Sequence, residues 1–500
     1  MTDAEIAVQL VFPGFKCGID DLDEARLLTE LGVGGFCVYG GGDAAELARL
    51  TSTLQGAAQR PLLFCADYED GVHTQCPAGT PLPSNMGLGA SGREALAFQK
   101  GALTAVESRA VGVPWILAPV CDLATRPENP IVNTRSFGAD PALVVRMARA
   151  YLKGLRSEGA LGCLKHFPGH GETRKDSHLE LPDIAADEET LSRRELVPFE
   201  ALAGEADAVM TGHLTVPALV GDRTPYSLSA DVARTLRGRL RFEGLVSTDA
   251  LSMQAIASNY DELDAARRAL LGGSDILLVP SKALDLSRAL IEAVEHEPAL
   301  AAAARRAFER LEKARAACGL TTARAAARVV DPSLVGSSKH RQAAEAMAES
   351  CLAWAARPEP LSGSIRYFEA ETDGPEEWFG ADFVAELRAC GVRVEPMTGT
   401  GEPRASDVVV LGVFLSPRAY TGRIAFDEDD AAALRAKLAR AARAVIVSFG
   451  SPFVFDALGR GGLCAFTRGA PAQRAAARAL AGKLEVTGTM PVPLRLAAAG

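Results

Sequence analysis

Short apolar runs alternate with longer amphipathic stretches along the first two thirds of the chain. The runs are Ala7–Phe12, Gly35–Tyr39, Leu62–Ala66, Pro114–Val120, Ala160–Leu164, Ala208–Gly212, Leu245–Thr248 and Ile276–Val279. Each is short, nearly all apolar and bounded by polar or glycine-rich sequence, so each is read as a buried strand. Between them lie Ala44–Leu54, Glu94–Val111, Pro141–Ser157, Ser192–Ala203, Asp231–Leu240 and Leu263–Leu271, rich in alanine and leucine and read as helices. Fully apolar strands alternating with helices predict a parallel sheet covered on both faces. Eight such units in about 300 residues fit a closed (β/α)8 barrel better than an open sheet.

A long helical region, Ala301–Ala327, ends this part. Residues 1–330 are therefore read as the barrel, and 331–356 as a linker (Val329–Pro332, Gly336–Ser338) with a helix over Arg341–Ala356. Residues 357–500 are read as a smaller α/β three-layer sandwich domain. Its strand candidates are Ile365–Phe368, Val392–Val394, Val408–Leu415, Ala444–Phe449 and Leu463–Phe466, with helices over Asp373–Arg388, Asp427–Ala442 and Gln473–Leu480. This half carries no comparable cluster of polar residues and is read as a packing or dimerisation domain.

Composition narrows the class. The chain has 500 residues, 48% hydrophobic and 23% charged, with a net charge of −10. That balance argues against nucleic acid or an anionic membrane as partner. The start, Met1–Glu5, has neither a basic nor an apolar leader region, and no apolar run is long enough to span a bilayer. Ten scattered cysteines, none in a C-x-x-C pair, suit small hydrophobic side chains in a reducing cytoplasm. The sequence leaves the oligomeric state open.

Polar residues stand where such strands end. Asp67 follows the third run, Asp122 the fourth, Lys165-His166 the fifth, His213 the sixth and Asp249 the seventh. In a closed barrel these ends converge on the face that carries chemistry. The densest cluster is Leu164-Lys165-His166-Phe167-Pro168-Gly169-His170-Gly171 with Asp176-Ser177-His178, which holds three of the seven histidines. A carboxylate two residues before an imidazole can orient the ring and favour its protonated form.

Spacing alone leaves several roles open. Asp249 in Ser247–Met253 is a nucleophile or a helix N-cap. Asp67 in Ala66–Gly71 bonds sugar hydroxyls or loop backbone. Arg135 in Asn133–Gly138 anchors a substrate oxygen or makes a loop–loop ion pair. His166, His170 and His178 could instead ligate a metal, making a metal-dependent barrel hydrolase. Pro168 and Gly169 keep His166 and His170 off one helical face, and Lys165 would repel the cation.

In order and spacing, Ala118–Asp122, Asn133–Gly138, Lys165–Gly171 with Asp176–His178, and Thr248–Met253 resemble glycoside hydrolase family 3. The likeness is to its β-N-acetylglucosaminidase (β-N-acetylhexosaminidase) branch and spans nearly the whole chain; Gly469–Leu480 and Gly488–Leu494 resemble the end of that family's second domain. The resemblance implies a cytoplasmic retaining exo-β-N-acetylglucosaminidase needing no metal, nucleotide or flavin. Its substrate would be an N-acetylglucosamine-containing oligosaccharide derived from muropeptides or chitin. By similarity Asp249 is the nucleophile, and His178 is the general acid/base paired with Asp176. Asp67, Arg135, Lys165 and His166 bind sugar hydroxyls, His213 lines the pocket, and the Asp122 loop shapes its floor. Retaining enzymes ordinarily use two carboxyls about 5 Å apart. An imidazole in place of one repels an incoming anion less, so phosphorolysis through the same residues is the alternative. A dead barrel that only binds sugar is a further rival, opposed by the retained Asp249 and Asp176/His178.

One stretch departs from the family pattern Asp-x-Glu-Gly-Gly-Arg-Val. Here it reads Asp67-Tyr68-Glu69-Asp70-Gly71-Val72-His73. The first glycine is an aspartate and the arginine is missing, so recognition of a charged aglycone lacks that residue.

Overall fold

The computed structural model describes residues 1–321, 330–370, 380–397, 401–417 and 424–496. Strands β1 (Val11–Phe12) and β2 (Gly14–Cys17) flank Pro13. They are followed by β3 (Cys37–Gly40), β4 (Cys65–Ala66), β5 (Trp115–Ile116), β6 (Leu161–Phe167), β7 (Ala208–Thr211), β8 (Leu245–Thr248) and β9 (Leu277–Leu278). Every neighbour from β2 to β8 pairs in parallel. The ring closes through β9, which pairs with β1 and meets β8 at the Ser247–Ile276 bridge. The result is the parallel barrel expected from the alternation, with apolar strand interiors buried on both faces.

The first strand differs from the sequence expectation. Residues Asp3–Val8 form a helix because Thr2 and Glu5 cap it reciprocally, side chain to backbone in both directions. Only Val11 and Phe12 of the expected run are strand. Pro13 has no N–H to give the ladder, and it divides the first barrel strand in two. One half closes the barrel against β9 and the other opens it against β3.

The fifth strand is longer than expected and irregular. Leu164 is level with Val209 but Phe167 is level with Thr211, so β6 carries one residue more than β7 at Lys165-His166. A regular strand sends consecutive side chains to opposite faces. The extra residue breaks that alternation at the barrel mouth, a frequent position for bulges beside active sites.

The helix after the barrel runs Pro298–Ala317; positions 322–327 of the expected helical region lie outside the described residues. A helix over Ser338–Ser350 leads to the second sheet. The expected continuation to Ala356 is instead β10 (Ala353–Trp354). The remaining strands are β11 (Ser364–Ala370), β12 (Arg393–Pro396), β13 (Val408–Val413), β14 (Arg443–Ser448) and β15 (Gly462–Cys464), in the order β10-β15-β14-β13-β11-β12. Only β10 is antiparallel. Alternation along β13 and β14 builds two cores. Val410, Val445 and Val447 pack with Phe383 and Ala476 on one face. Val409, Leu411 and Ile446 pack with Leu438 and Phe455 on the other. Within the expected helix Asp373–Arg388 the described part is Ala381–Ala389; residues 373–379 lie outside the described residues.

The second core continues into the barrel through Met86, Ala90 and Val132. The C-terminal segment crosses back as well: Thr489 N–H donates to Ala90 C=O at 2.9 Å, and Ala139 N–H donates to Pro491 C=O at 3.0 Å. The two domains are thus packed face to face beside the barrel mouth.

Candidate active site

At the barrel mouth Asp67, one residue past β4, meets Lys165 of β6. Lys165 Nζ is 2.6 Å from Asp67 Oδ1 and 2.7 Å from Glu69 Oε1. Glu69 also accepts two bonds from Arg135, at 2.9 Å from Nε and 2.7 Å from Nη2. Burial works against the ionised Glu69, but Arg135 and Lys165 overcome it and hold the carboxyl well below its usual range. The same carboxylates outweigh burial at Lys165 and raise its pKa. Three of the expected contact groups, Asp67, Lys165 and Arg135, thus form one charge-paired floor with Glu69, and Arg135 is both an ion-pair partner and a cavity wall.

The histidine-rich loop is clamped from below. Asp122 accepts the backbone N–H of His166 (3.1 Å) and of His170 (2.7 Å), and its Oδ2 accepts His166 Nδ1–H at 2.6 Å. Burial opposes this carboxylate, yet His166 and His170 hold its pKa below normal. Arg135 Nη2 approaches His166 Nε2 at 3.5 Å. The amide of Asn129 donates to His170 C=O (2.8 Å) and Gly171 C=O (3.1 Å). Close packing makes glycine necessary here. Gly169 has φ +123°, and a Cβ would stand 2.8 Å from Glu195 Cβ; at Gly171 it would stand 2.3 Å from Leu123 O.

His170 has both nitrogens engaged, by Thr173 Oγ1 at 2.7 Å and Ser177 Oγ at 3.1 Å. Burial, then His166, lowers its pKa to about 4. It pins the loop as a neutral ring. With both nitrogens of His170 bonded, the three-histidine metal arrangement does not form. Among the described residues no group of three His, Cys, Asp or Glu is placed to hold a metal ion.

Asp249 directly follows β8. Its Oδ1 accepts the N–H of Ala250 at 2.8 Å, and the next helix starts only at Gln254, so the N-cap role falls away. Burial disfavours its charge, but the imidazoles of His166, His213 and His178 and the Ala250 N–H overcome that and keep the pKa below normal. His178 approaches from the β6 loop, its Nδ1 2.8 Å from Asp176 Oδ1. His213 is fully buried, with Nδ1 on Ser227 Oγ at 2.7 Å and Nε2 donating to Ala250 C=O at 3.0 Å. Sequence reasoning grouped His213 with the sugar-binding residues. The structure puts it one layer back, holding the Asp249–Ala250 turn, because both ring nitrogens are already bonded.

A cavity of about 570 Å³ opens over this floor, lined by Asp67, Glu69, Asp70, Thr134, Arg135 and His178 of the barrel. Ser416, Phe466, Thr467 and Arg468 of the second domain line it too, so that domain does more than pack. Between the domains Asn133, at φ +33°, donates Nδ2–H to Ser451 Oγ at 3.1 Å. Three groups escaped the sequence reading. Glu69 as the bridge between Lys165 and Arg135 was visible only as a neighbour of Asp67. Lys100, fully buried, gives Asp70 a partner at 2.8 Å, and nothing in its helical context marks it. Arg468 lies 290 or more positions from the barrel residues that line the cavity with it and carries no local signal.

The model of the glycosyl hydrolase family 3 N-terminal domain matches residues 2–313. The chain is 34% identical over 289 residues to a β-hexosaminidase of Tolumonas auensis, covering 56% of this chain and 84% of that one. It is 30% identical over 281 residues to β-hexosaminidase A of Pseudoalteromonas piscicida; this match spans 51% of the chain and only about half, 47%, of that relative's length. A solved family 3 β-N-acetylglucosaminidase from Paenibacillus sp. str. FPU-7 superposes with a TM-score of 0.86 at 29% identity, over 100% of both chains. With that match over more than half its length, and with the barrel and sandwich in place, the chain belongs to glycosyl hydrolase family 3.

Proposed function

We propose that the protein is a retaining exo-β-N-acetylglucosaminidase that removes terminal β-linked N-acetylglucosamine from muropeptide- or chitin-derived fragments. The names of its relatives support the sugar. Asp249 attacks the anomeric carbon; the bond from that carbon to the leaving oxygen breaks as His178 Nε2–H gives that oxygen its proton. Water then attacks the glycosyl-enzyme, passes a proton to His178 and frees the Asp249 carboxylate. Asp67, Arg135, Lys165 and His166 hold sugar hydroxyls against a floor whose charges are already paired. Asp176 keeps His178 in one orientation and stabilises its protonated form, as the acid of a Ser-His-Asp triad does.

The observation that supports this reading is the placement of Asp249 directly after β8 and of the Asp176–His178 pair on the loop after β6, with His178 among the groups that lower the Asp249 pKa. A reducing cytoplasm suits the ten free thiols. The test is the anomer first formed from an aryl β-N-acetylglucosaminide, followed by NMR with and without phosphate. The β-anomer is expected; the α-anomer overturns the double displacement. A glycosyl phosphate in the second arm makes phosphorolysis the activity.

A further inference from the structure

The segment from Asn129 to Arg135 joins three parts of the molecule. Asn129 reaches the histidine loop through the carbonyls of His170 and Gly171, and its Oδ1 accepts the N–H of Ile131 (2.9 Å) and of Val132 (2.8 Å). A short helical turn, Asn133–Arg135, then delivers Arg135 to the cavity wall. The Arg135 backbone is tied on both sides. Its N–H donates to Val132 C=O at 2.8 Å, and its C=O accepts Asn85 Nδ2–H at 2.8 Å. The strained member of the turn is Asn133, with φ +33°, in the left-handed region that side chains disfavour. It is 1% exposed. Its Nδ2–H donates to Ser451 Oγ of the second domain at 3.1 Å, and its Oδ1 is buried with no partner among the described residues. An asparagine in this conformation ordinarily bonds its own turn. Here, among the described residues, the bond to Ser451 is the one its side chain makes. Ser451 is a firm anchor just past β14: its N–H donates to Leu415 C=O at 2.6 Å, and its C=O accepts Ser448 Oγ–H at 2.7 Å.

We propose that Asn133 and Ser451 are positioning residues: through this bond the second domain holds the turn in its left-handed form and so sets Arg135 against the sugar. This rests on reading Arg135 as a sugar contact. Neither Asn133 nor Ser451 lines the cavity, so both act through Arg135. The side-chain bond to the other domain offsets a backbone conformation that the turn alone does not favour. Arg135 grips the same hydroxyls in the bound substrate and in the transition state. Its displacement therefore raises KM and leaves kcat nearly unchanged.

The test is a double-mutant cycle in the full-length protein, with kcat and KM measured separately on 4-nitrophenyl β-N-acetylglucosaminide and melting temperature followed alongside. Its members are wild type, Ser451→Ala, Asn133→Gly and the double variant. Ser451→Ala is expected to raise KM by roughly three- to ten-fold, the worth of one hydrogen bond, with kcat nearly unchanged. Glycine adopts φ +33° without a side chain to clash, so Asn133→Gly needs no anchor. In that background Ser451→Ala should move KM by less than about two-fold, although it removes the same hydroxyl. Asn133→Ala keeps the strain and loses the bond, and should raise KM at least as much as Ser451→Ala. A Ser451→Ala variant that melts lower but keeps the wild-type KM overturns the proposal. So does an effect of Ser451→Ala that is equally large with Asn133 and with glycine. Arg135→Lys is the control for the reading beneath: an unchanged KM there overturns Arg135 as a sugar contact, and the proposal with it.

Discussion

A single oxygen, Asp176 Oδ1, accepts both the backbone N–H and the ring Nδ1–H of His178, each at 2.8 Å. The carboxylate is fully buried and the ring is 23% exposed, so the pair holds the ring on a fixed base. His178→Ala should slow turnover most for poor leaving groups, because only they need the proton. The check is kcat/KM against the pKa of a series of substituted phenols, whose slope should steepen. Asp176→Asn keeps the shape but loses the charge, and should shift the slope the same way with a smaller loss, on the order of ten- to a hundred-fold.

Asp249 is kept ionised by three imidazoles and sits on a turn braced by His213. Asp249→Ala should cut kcat on aryl β-N-acetylglucosaminides by a factor on the order of a thousand or more, through loss of the covalent step. His213→Ala should lower kcat while leaving a measurable rate, because it frees the turn without removing the carboxylate. Full activity of Asp249→Ala removes the nucleophile assignment.

Much of this site was legible because barrel strands announce themselves. Each is a short apolar run, and the residue after it falls at the mouth, which is how Asp67 and Asp249 stood out. What stayed hidden depends on relations between distant segments. The extra residue at Lys165-His166 exists only relative to β7, and a single strand carries no mark of it. The helix over Asp3–Val8 did have a local signal, Thr2 with Glu5, overlooked beside the apolar run that follows. His213 read as a pocket residue because its position after β7 is visible, whereas its bond to the carbonyl of Ala250 is not. Arg468 reaches the cavity only through the packing of two domains.

Among the described residues Glu69 is the one acid that pairs with both Lys165 and Arg135, and its side chain is only 11% exposed. Glu69→Gln leaves buried Lys165 and part-buried Arg135 without their common partner. Loss of one member of a buried ion pair costs about 3–5 kcal/mol. Because the folded pKa is depressed, the carboxylate's contribution is present above the ordinary glutamate range and is lost as pH falls through the folded value. Urea titrations of wild type and Glu69→Gln should therefore differ widely at pH 7 and converge in acid. An equal gap at pH 7 and pH 3 rules out the charge as its origin.

Glu195 runs the other way. It lies behind Gly169 and Gly171, one oxygen 3.1 Å from Arg194 Nη2 and the other, Oε2, buried without a partner among the described residues. Burial raises its pKa to about 7, with Asp122 and Glu172 adding to the effect and Arg194 opposing it. Between pH 4.5 and 7 the folded protein holds a proton here that the unfolded chain has released, so stability falls as pH rises across that window. From a starting value of 4.5, a rise to about 7 corresponds to a loss on the order of 3 kcal/mol. Glu195→Gln is neutral at every pH and keeps an oxygen for Arg194. Its melting temperature should exceed that of wild type at pH 8 by more than at pH 5, and the wild-type decline between those values should flatten. A variant that loses stability equally at both ends would show that the buried charge of Glu195 is not what strains the histidine loop's support.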